Sequence, residues 1–383
     1  MKYGKTGASE LKIAMVVERF PPDIGGSGVR YCNIAERLCQ KHAIDVFTLG
    51  SRSDEASNAG FRTYRFDSAR LPITQMHGLE RVIGLTFSAL FQLPFRSYDI
   101  IDVDIWPILP SFSARIAKPH TPIIISWNVV WPFSFQKAIS KTSTALARVS
   151  SKLNTHNITV SDFAKTILLK HMRINPERIS VIPNGNDPAF LRARLKPKPG
   201  RIIFAGRLEP QKRLDLILKA FKIFRRKVGD AELHVVGSGS IREQLKHLSG
   251  RIDGFYLHDS IPPGNREKLV SILSNSWVFV SASEFETYGM SIAEALSLGL
   301  PVVLTRAPYN GAIDDIARNG YNSLIVEHNN PDAIAHALEE LYRSPDMWEQ
   351  LSHNAKRSAP LYSWDDVAMN VEAVYNKVLS TRL

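Results

Sequence analysis

Short apolar runs at residues 12–17, 44–49, 100–103, 123–127 and 157–160 are separated by stretches long enough for helices. The first run ends in a loop rich in proline and glycine, and a helical pattern then starts near Gly28 with Ile34, Leu38, Cys32 and Cys39 on one side. This alternation predicts a parallel sheet with helices on both faces. The rhythm restarts at 201–204 and continues through 232–236, 254–257, 278–281, 301–304 and 323–326, which predicts a second unit of the same kind. Between them, residues 190–200 are basic, carry two prolines and show no periodicity, the pattern of a linker. Residues 364–379 form one more amphipathic helix, expected to return to the first unit. The fold class is therefore α/β, with two Rossmann-like, doubly wound domains at residues 10–185 (joined by a C-terminal helix, 363–383) and 186–362.

A chain of 383 residues exceeds one ordinary core and has room for two. Its 44% apolar and 22% charged residues fit a globular protein. Cys32 and Cys39 lie seven positions apart on one helix, too far to bridge, and read as buried thiols of a reducing compartment. The apolar stretches 82–95 and 122–135 fall short of the roughly 20 residues that span a bilayer. The first ten residues carry two lysines but no apolar segment, so the expected location is cytoplasmic.

Charge adds a further expectation. The net of +11 is uneven: residues 1–185 hold 23 Lys and Arg against 14 Asp and Glu, a net of +9, while the remainder carries +2. Nothing points to nucleic acid, and a basic first half suits a polyanion or an anionic membrane surface. On residues 136–153, Lys137, Lys141, Arg148 and Lys152 fall within roughly a 60° arc of an ideal helix, with Ile139, Leu146, Val149 and Leu153 opposite. The helix is either a stripe for anionic lipid, placing the protein peripherally at the inner membrane face, or an ordinary helix with its apolar side on the core.

Three motifs carry chemistry. Residues 21–28 put Gly25, Gly26 and Gly28 between the first strand and the first helix, where backbone amides approach a phosphate or sugar oxygen, although the G-x-G-x-x-G spacing is missing. The second, at residues 204–213, sets Arg207 and Lys212 across a turn into a helix at the C-terminal end of the second unit's first strand. Ligands collect at that edge, and two cations there can grip a diphosphate. The third, at residues 283–295, combines Glu286, Gly289 and Glu294 at a strand-to-helix turn, where two carboxylates can accept hydrogen bonds from sugar hydroxyls. Plainer readings exist for each: a structural glycine turn, a solvated basic helix start, a helix-capping acid.

Together with residues 161–163, 181–185, 234–239 and 299–303, these motifs make the chain resemble the family 4 glycosyltransferases, retaining enzymes of GT-B fold, over nearly its whole length. The resemblance implies two domains facing across a cleft and transfer of a hexose-type sugar from a nucleotide diphosphate-sugar, UDP- or GDP-linked, to a hydroxyl of a lipid-linked or glycan acceptor. It implies that Arg207 and Lys212 neutralise the donor diphosphate, that Glu286 supports the donor sugar in the transition state, and that Glu294 binds the ribose. Gly25, Gly26, Gly28, Asn184, Gly206, Tyr288, Gly289 and Met290 complete the expected substrate contacts. No metal and no cofactor are implied, because cations and amides replace the ion; Asp102 and Asp104 have an Asp-x-Asp spacing, but in the unit where this family holds no metal. Asn128 stands where many relatives have a histidine, and it cannot carry a proton near neutral pH. Asn186 and Ser323 are milder departures. Alternatives of the same architecture are a nucleotide-sugar 2-epimerase and a non-catalytic binding relative.

Overall fold

The computed structural model describes residues 10–22, 25–50, 60–67, 79–130, 139–262, 265–358 and 363–381. Contacts divide the chain into one unit of residues 1–160, 164–182 and 365–383, and a second of residues 161–163 and 183–364.

The first unit is built from β1 (Lys12–Val16), α1 (Gly26–Leu38), β2 (Ala43–Leu49), β3 (Arg62–Phe66), α2 (Leu79–Gln92), β4 (Ile100–Asp104), α3 (Leu109–Ala117), β5 (Ile123–Trp127), α4 (Ile139–Leu153), β6 (His156–Thr159), α5 (Asp162–Met172) and β7 (Ile179–Val181). The seven strands are parallel in the order β3-β2-β1-β4-β5-β6-β7, so the direction of winding reverses between β1 and β4. Side chains alternate across the sheet. Ala14, Val16, Ile101 and Val103 pack with Leu85 and Ala89 of α2, Leu93 just after it, Ala114 of α3, Ala147 of α4 and Leu168 of α5. Asp102, on the opposite side of β4, accepts hydrogen bonds from Tyr31 of α1 at 2.6 Å and Tyr375 of the C-terminal helix Trp364–Ser380 at 2.7 Å. Burial raises the Asp102 carboxyl above its ordinary range.

The second unit runs through α6 (Pro188–Arg192), β8 (Arg201–Ala205), α7 (Leu214–Lys227), β9 (Glu232–Val236), α8 (Arg242–Ser249), β10 (Phe255–His258), α9 (Arg266–Ser274), β11 (Val278–Ser281), β12 (Phe285–Glu286), α10 (Met290–Leu298), β13 (Val302–Arg306), β14 (Tyr309–Asn310), α11 (Gly311–Asp315), β15 (Ser323–Glu327), α12 (Pro331–Arg343) and α13 (Pro345–Arg357). Its six-stranded parallel sheet has the order β10-β9-β8-β11-β13-β15, and winding reverses between β8 and β11. Apolar residues on one face meet α7, α8 and α12; those on the other meet α6, α9, α10 and α13. The two-residue strands β12 and β14 pair with each other, apart from the main sheet.

Several expectations need correction. Residues 190–200 are not a linker: Phe190 is fully buried in the second core, and the Lys196 amide donates to the Ser274 carbonyl at 2.7 Å. The division falls after Ile182 rather than after Gly185, since Asn184 and Gly185 pack on Tyr288 and Trp364 within the second unit. Cys32 and Cys39 are half-buried free thiols, and burial beside Glu36 pushes Cys32 up to about 12. Helix α4 turns Ala147, Ser150 and Ser151 to the core and leaves Leu146, Val149 and Leu153 exposed, so its apolar side faces outward. The small residues admit close approach, and Ser150 meets Ser111 of α3 at 2.6 Å. Arg148 bends inward to the His171 carbonyl; Lys152 is exposed; Lys137 and the side chain of Lys141 lie outside the described residues. No helix among the described residues is long and apolar enough to cross a membrane.

Candidate active site

In the second unit the loops after β8 and β11 flank the point where winding reverses, the place where open parallel sheets bind ligands. The loop after β8 is pinned by two backbone bonds, Gly206 N to Val236 O at 3.0 Å and Leu208 N to Ser238 O at 2.8 Å. Between them Arg207 is exposed. A 3₁₀ turn at Pro210–Lys212 then leads into α7, and the Glu284 amide donates to the Gln211 carbonyl at 2.9 Å, tying the two loops together. Arg213 has a structural task, bonding Asp215, Glu284 and Asn329.

Lys212 Nζ lies 2.5 Å from Glu286 Oε1, and Ser283 Oγ donates to the same oxygen at 3.0 Å. Both side chains of the ion pair are largely buried. Glu286 belongs to β12 rather than to an irregular loop. The turn that follows is held by Ser161, whose hydroxyl donates to the Thr287 carbonyl at 2.7 Å, and by Tyr288, whose hydroxyl donates to the Asn184 carbonyl at 3.3 Å. Gly289 takes φ +82° as the N-cap of α10, a left-handed conformation that disfavours any side chain. That helix start, with Met290 first in the helix, has neither a side-chain cap nor an acid in its first turn, so its amides and dipole are directed at whatever binds there.

Glu294 is buried one turn further along α10 and accepts a hydrogen bond from Arg266 Nη1 of α9 at 3.1 Å. Burial raises its carboxyl, Arg266 opposes the rise, and Asp187 adds to it. Arg266 was not anticipated from sequence, because it lies 28 residues upstream on a different helix. Asn186 and Ser323 are explained by packing: Asn186 Nδ2 donates to Ser297 Oγ at 2.8 Å, and Ser323 Oγ donates to the Arg318 carbonyl at 3.0 Å.

In the first unit, Gly25 is the extended N-cap of α1, and Gly26 opens a helix that likewise has no side-chain cap and no acid in its first turn. Gly28 is required by close approach, since a Cβ there would come within 2.3 Å of the Arg19 carbonyl oxygen. Asn128 follows β5 directly, and its Nδ2 donates to Asp104 Oδ1 at 3.3 Å, while its buried Oδ1 has no hydrogen-bond partner among the described residues. Burial pushes Asp104 up to about 7; hydrogen bonds from Ser27 and Asn128 hold it down, and Asp102 nearby pushes it further up. Helix start, β4 end and β5 end thus converge on the reversal point of this unit, within which Asp104 joins Gly25, Gly26 and Asn128 as a polar group not anticipated there. Among the described residues, no group of three or more His, Cys, Asp or Glu is placed to hold a metal ion.

These two constructions agree with the comparisons with known proteins. Residues 24–190 match the family described as Glycosyltransferase Family 4, and residues 188–358 match Glycosyl transferases group 1. An uncharacterized glycosyltransferase of Methanocaldococcus jannaschii is 27% identical over 95% of this chain and 98% of its own. The chain spans about half the length of the D-inositol 3-phosphate glycosyltransferases it also matches. Among solved structures, sucrose-phosphate synthase from Thermosynechococcus elongatus superposes with a TM-score of 0.81 at 17% identity, covering 97% of this chain and all of that one. Anabaena HepE in complex with UDP-glucose gives 0.76 at 15% identity, covering 96% of this chain and all of that one. The strand orders, the two reversal points and the paired family matches lead to one assignment: the chain belongs to the family 4 glycosyltransferases of the group 1 type and is a sugar-transferring enzyme of GT-B fold.

Proposed function

We propose that this enzyme transfers a hexose-type sugar, with retention of anomeric configuration, from a UDP- or GDP-linked donor to a hydroxyl of a lipid-linked or glycan acceptor. The observation that carries the reading is the grouping of exposed Arg207, the Lys212–Glu286 pair and the uncapped start of α10 beside one reversal point. Arg207, Lys212 and the amides of Gly289 and Met290 take the diphosphate, doing electrostatically what a divalent ion does elsewhere. Glu286 meets the donor sugar, where positive charge develops at carbon 1, and Glu294 with Arg266 meets the ribose. The bond from carbon 1 to the diphosphate oxygen breaks, the acceptor oxygen bonds to carbon 1 on the same face, and the acceptor proton passes to the leaving diphosphate. That proton route leaves no task for a histidine at Asn128, which instead hydrogen-bonds a substrate hydroxyl through its spare Oδ1.

The first unit serves the acceptor in this reading and docks on an anionic membrane from the cytoplasm. Helices α2, α3 and α4 cover the same sheet face, and their outward sides show Phe87, Phe91, Ile116, Leu146, Val149 and Leu153, with Phe95 just beyond α2 at 84% exposure. Phe87 and Phe91 stack at 5.7 Å. With the +9 of residues 1–185, this suits a lipid surface better than charge alone, since apolar side chains enter the boundary while cations stay at the head groups. Incubation with UDP- and GDP-hexoses and a lipid extract, followed by NMR of the new anomeric proton, tests the reading. A product with the donor's configuration supports it, and an inverted product or a 2-epimerised nucleotide sugar overturns it.

A further inference from the structure

Asn310 is 3% exposed, and neither Nδ2 nor Oδ1 of its buried carboxamide has a hydrogen-bond partner among the described residues. Asparagine at a helix start ordinarily accepts from the helix amides, yet Asn310, the N-cap of α11, makes no such bond. Its use is not local. It pairs in parallel register with Glu286, as Tyr309 does with Phe285, so the Asn310 and Glu286 side chains project from the same face of the β12–β14 ribbon. The packing around them is tight: a Cβ on Gly311 would come within 2.9 Å of the Thr287 carbonyl oxygen, and one on Gly289 within 2.9 Å of the Ala312 Cβ.

The two ends of the Lys212–Glu286 pair have different duties once a donor binds, because Lys212 turns to phosphate and Glu286 to sugar. The donor therefore takes from Glu286 the cation that neutralises it. We infer that Asn310 is the positioning residue that then receives Glu286: its Nδ2 donates to the released carboxylate and holds it ionised beneath the sugar. This inference rests on the sugar-facing role proposed for Glu286. It explains why a buried carboxamide without a partner sits at this one register position.

The experiment is a double-mutant cycle on the full chain, with kcat and KM for the donor and thermal unfolding measured for wild type, Asn310→Ala, Glu286→Gln and the double variant. Asn310→Ala is expected to leave the unfolding temperature unchanged or raised, since no hydrogen bond is lost, and to lower kcat about tenfold with free-nucleotide affinity retained. In the Glu286→Gln background the same substitution is expected to change kcat less than twofold, because there is no carboxylate left to hold. Asn310→Ser, which keeps one donor, is expected to recover part of the loss. An equal loss from Asn310→Ala in both backgrounds, or a fall in unfolding temperature that accounts for it, overturns the inference. Wild-type turnover in Asn310→Ala with impaired Glu286→Gln also overturns it while sparing the function proposed above. Wild-type turnover in Glu286→Gln removes that function's basis as well.

Discussion

Lys212 Nζ and Glu286 Oε1 stand 2.5 Å apart, so the cation assigned to the donor's phosphate and the carboxylate assigned to its sugar neutralise each other before any donor arrives. The pair is mostly buried, and removing one member leaves a charge uncompensated. Lys212→Ala is accordingly expected to lose on the order of 100-fold in turnover and some stability as well. Steady-state rates beside thermal unfolding check both, and unchanged stability would mean that Glu286 finds another partner at no cost.

Glu286→Gln and Glu294→Gln should fail differently. In the proposed reaction only the first group meets charge that develops, so its substitution is expected to lower kcat while leaving free-nucleotide affinity near wild type. Glu294, fixed by Arg266, is assigned in the same proposal to the unreacting ribose, and its substitution is expected to weaken nucleotide and donor alike. Calorimetry with free nucleotide and rates with donor separate them; the reverse ranking would exchange the two roles.

The glycine turns, the cations after β8 and the two glutamates were readable because each lies within a few residues of a strand end and a glycine, on the turn or the first turns of helix that follow, where backbone and charge leave a local signature. Most strands were readable for the same reason, as runs of Ile and Val buried on both faces. Strand β3 was missed because, as an edge strand, it mixes arginines into its pattern, and β7 because it is only three residues long. Arg266 and Asn310 act across the fold on residues 28 and 24 positions away and leave no local trace. Helix α4 shows the limit of periodicity, which gives two faces without saying which one packs. The small Ala147, Ser150 and Ser151 decided that outcome.

Asp104 predicts a pH dependence of stability. Its folded-state pKa is raised from the ordinary 3.8 to about 7, so the folded protein binds the extra proton and its contribution is lost as pH rises through that window. Relative to wild type, Asp104→Asn should therefore gain stability from pH 4 to pH 8, by at most about 4 kcal/mol. Denaturant unfolding at both pH values measures this, and a pH-independent difference would mean that Asp104 titrates normally.

Membrane attachment should depend on the apolar side of α2 and α4 as well as on charge. Wild type is expected to sediment with anionic liposomes at low salt and less at high salt, and Phe91→Ser/Phe95→Ser/Leu153→Ser is expected to lose most binding at either. A triple variant that binds like wild type would leave charge as the sole cause. A wild type that ignores anionic vesicles at low salt would make a soluble acceptor the better reading.

The central claim is that the second unit grips a nucleoside diphosphate with protein charges alone, Arg207 foremost. Calorimetric titration of UDP and GDP into wild type and Arg207→Ala, in EDTA, tests it most directly. The account predicts one binding site per chain for at least one of the two nucleotides without any divalent ion, and an affinity at least about tenfold weaker in the variant. Binding that requires Mg²⁺ or Mn²⁺, or equal affinity in the two proteins, would contradict it.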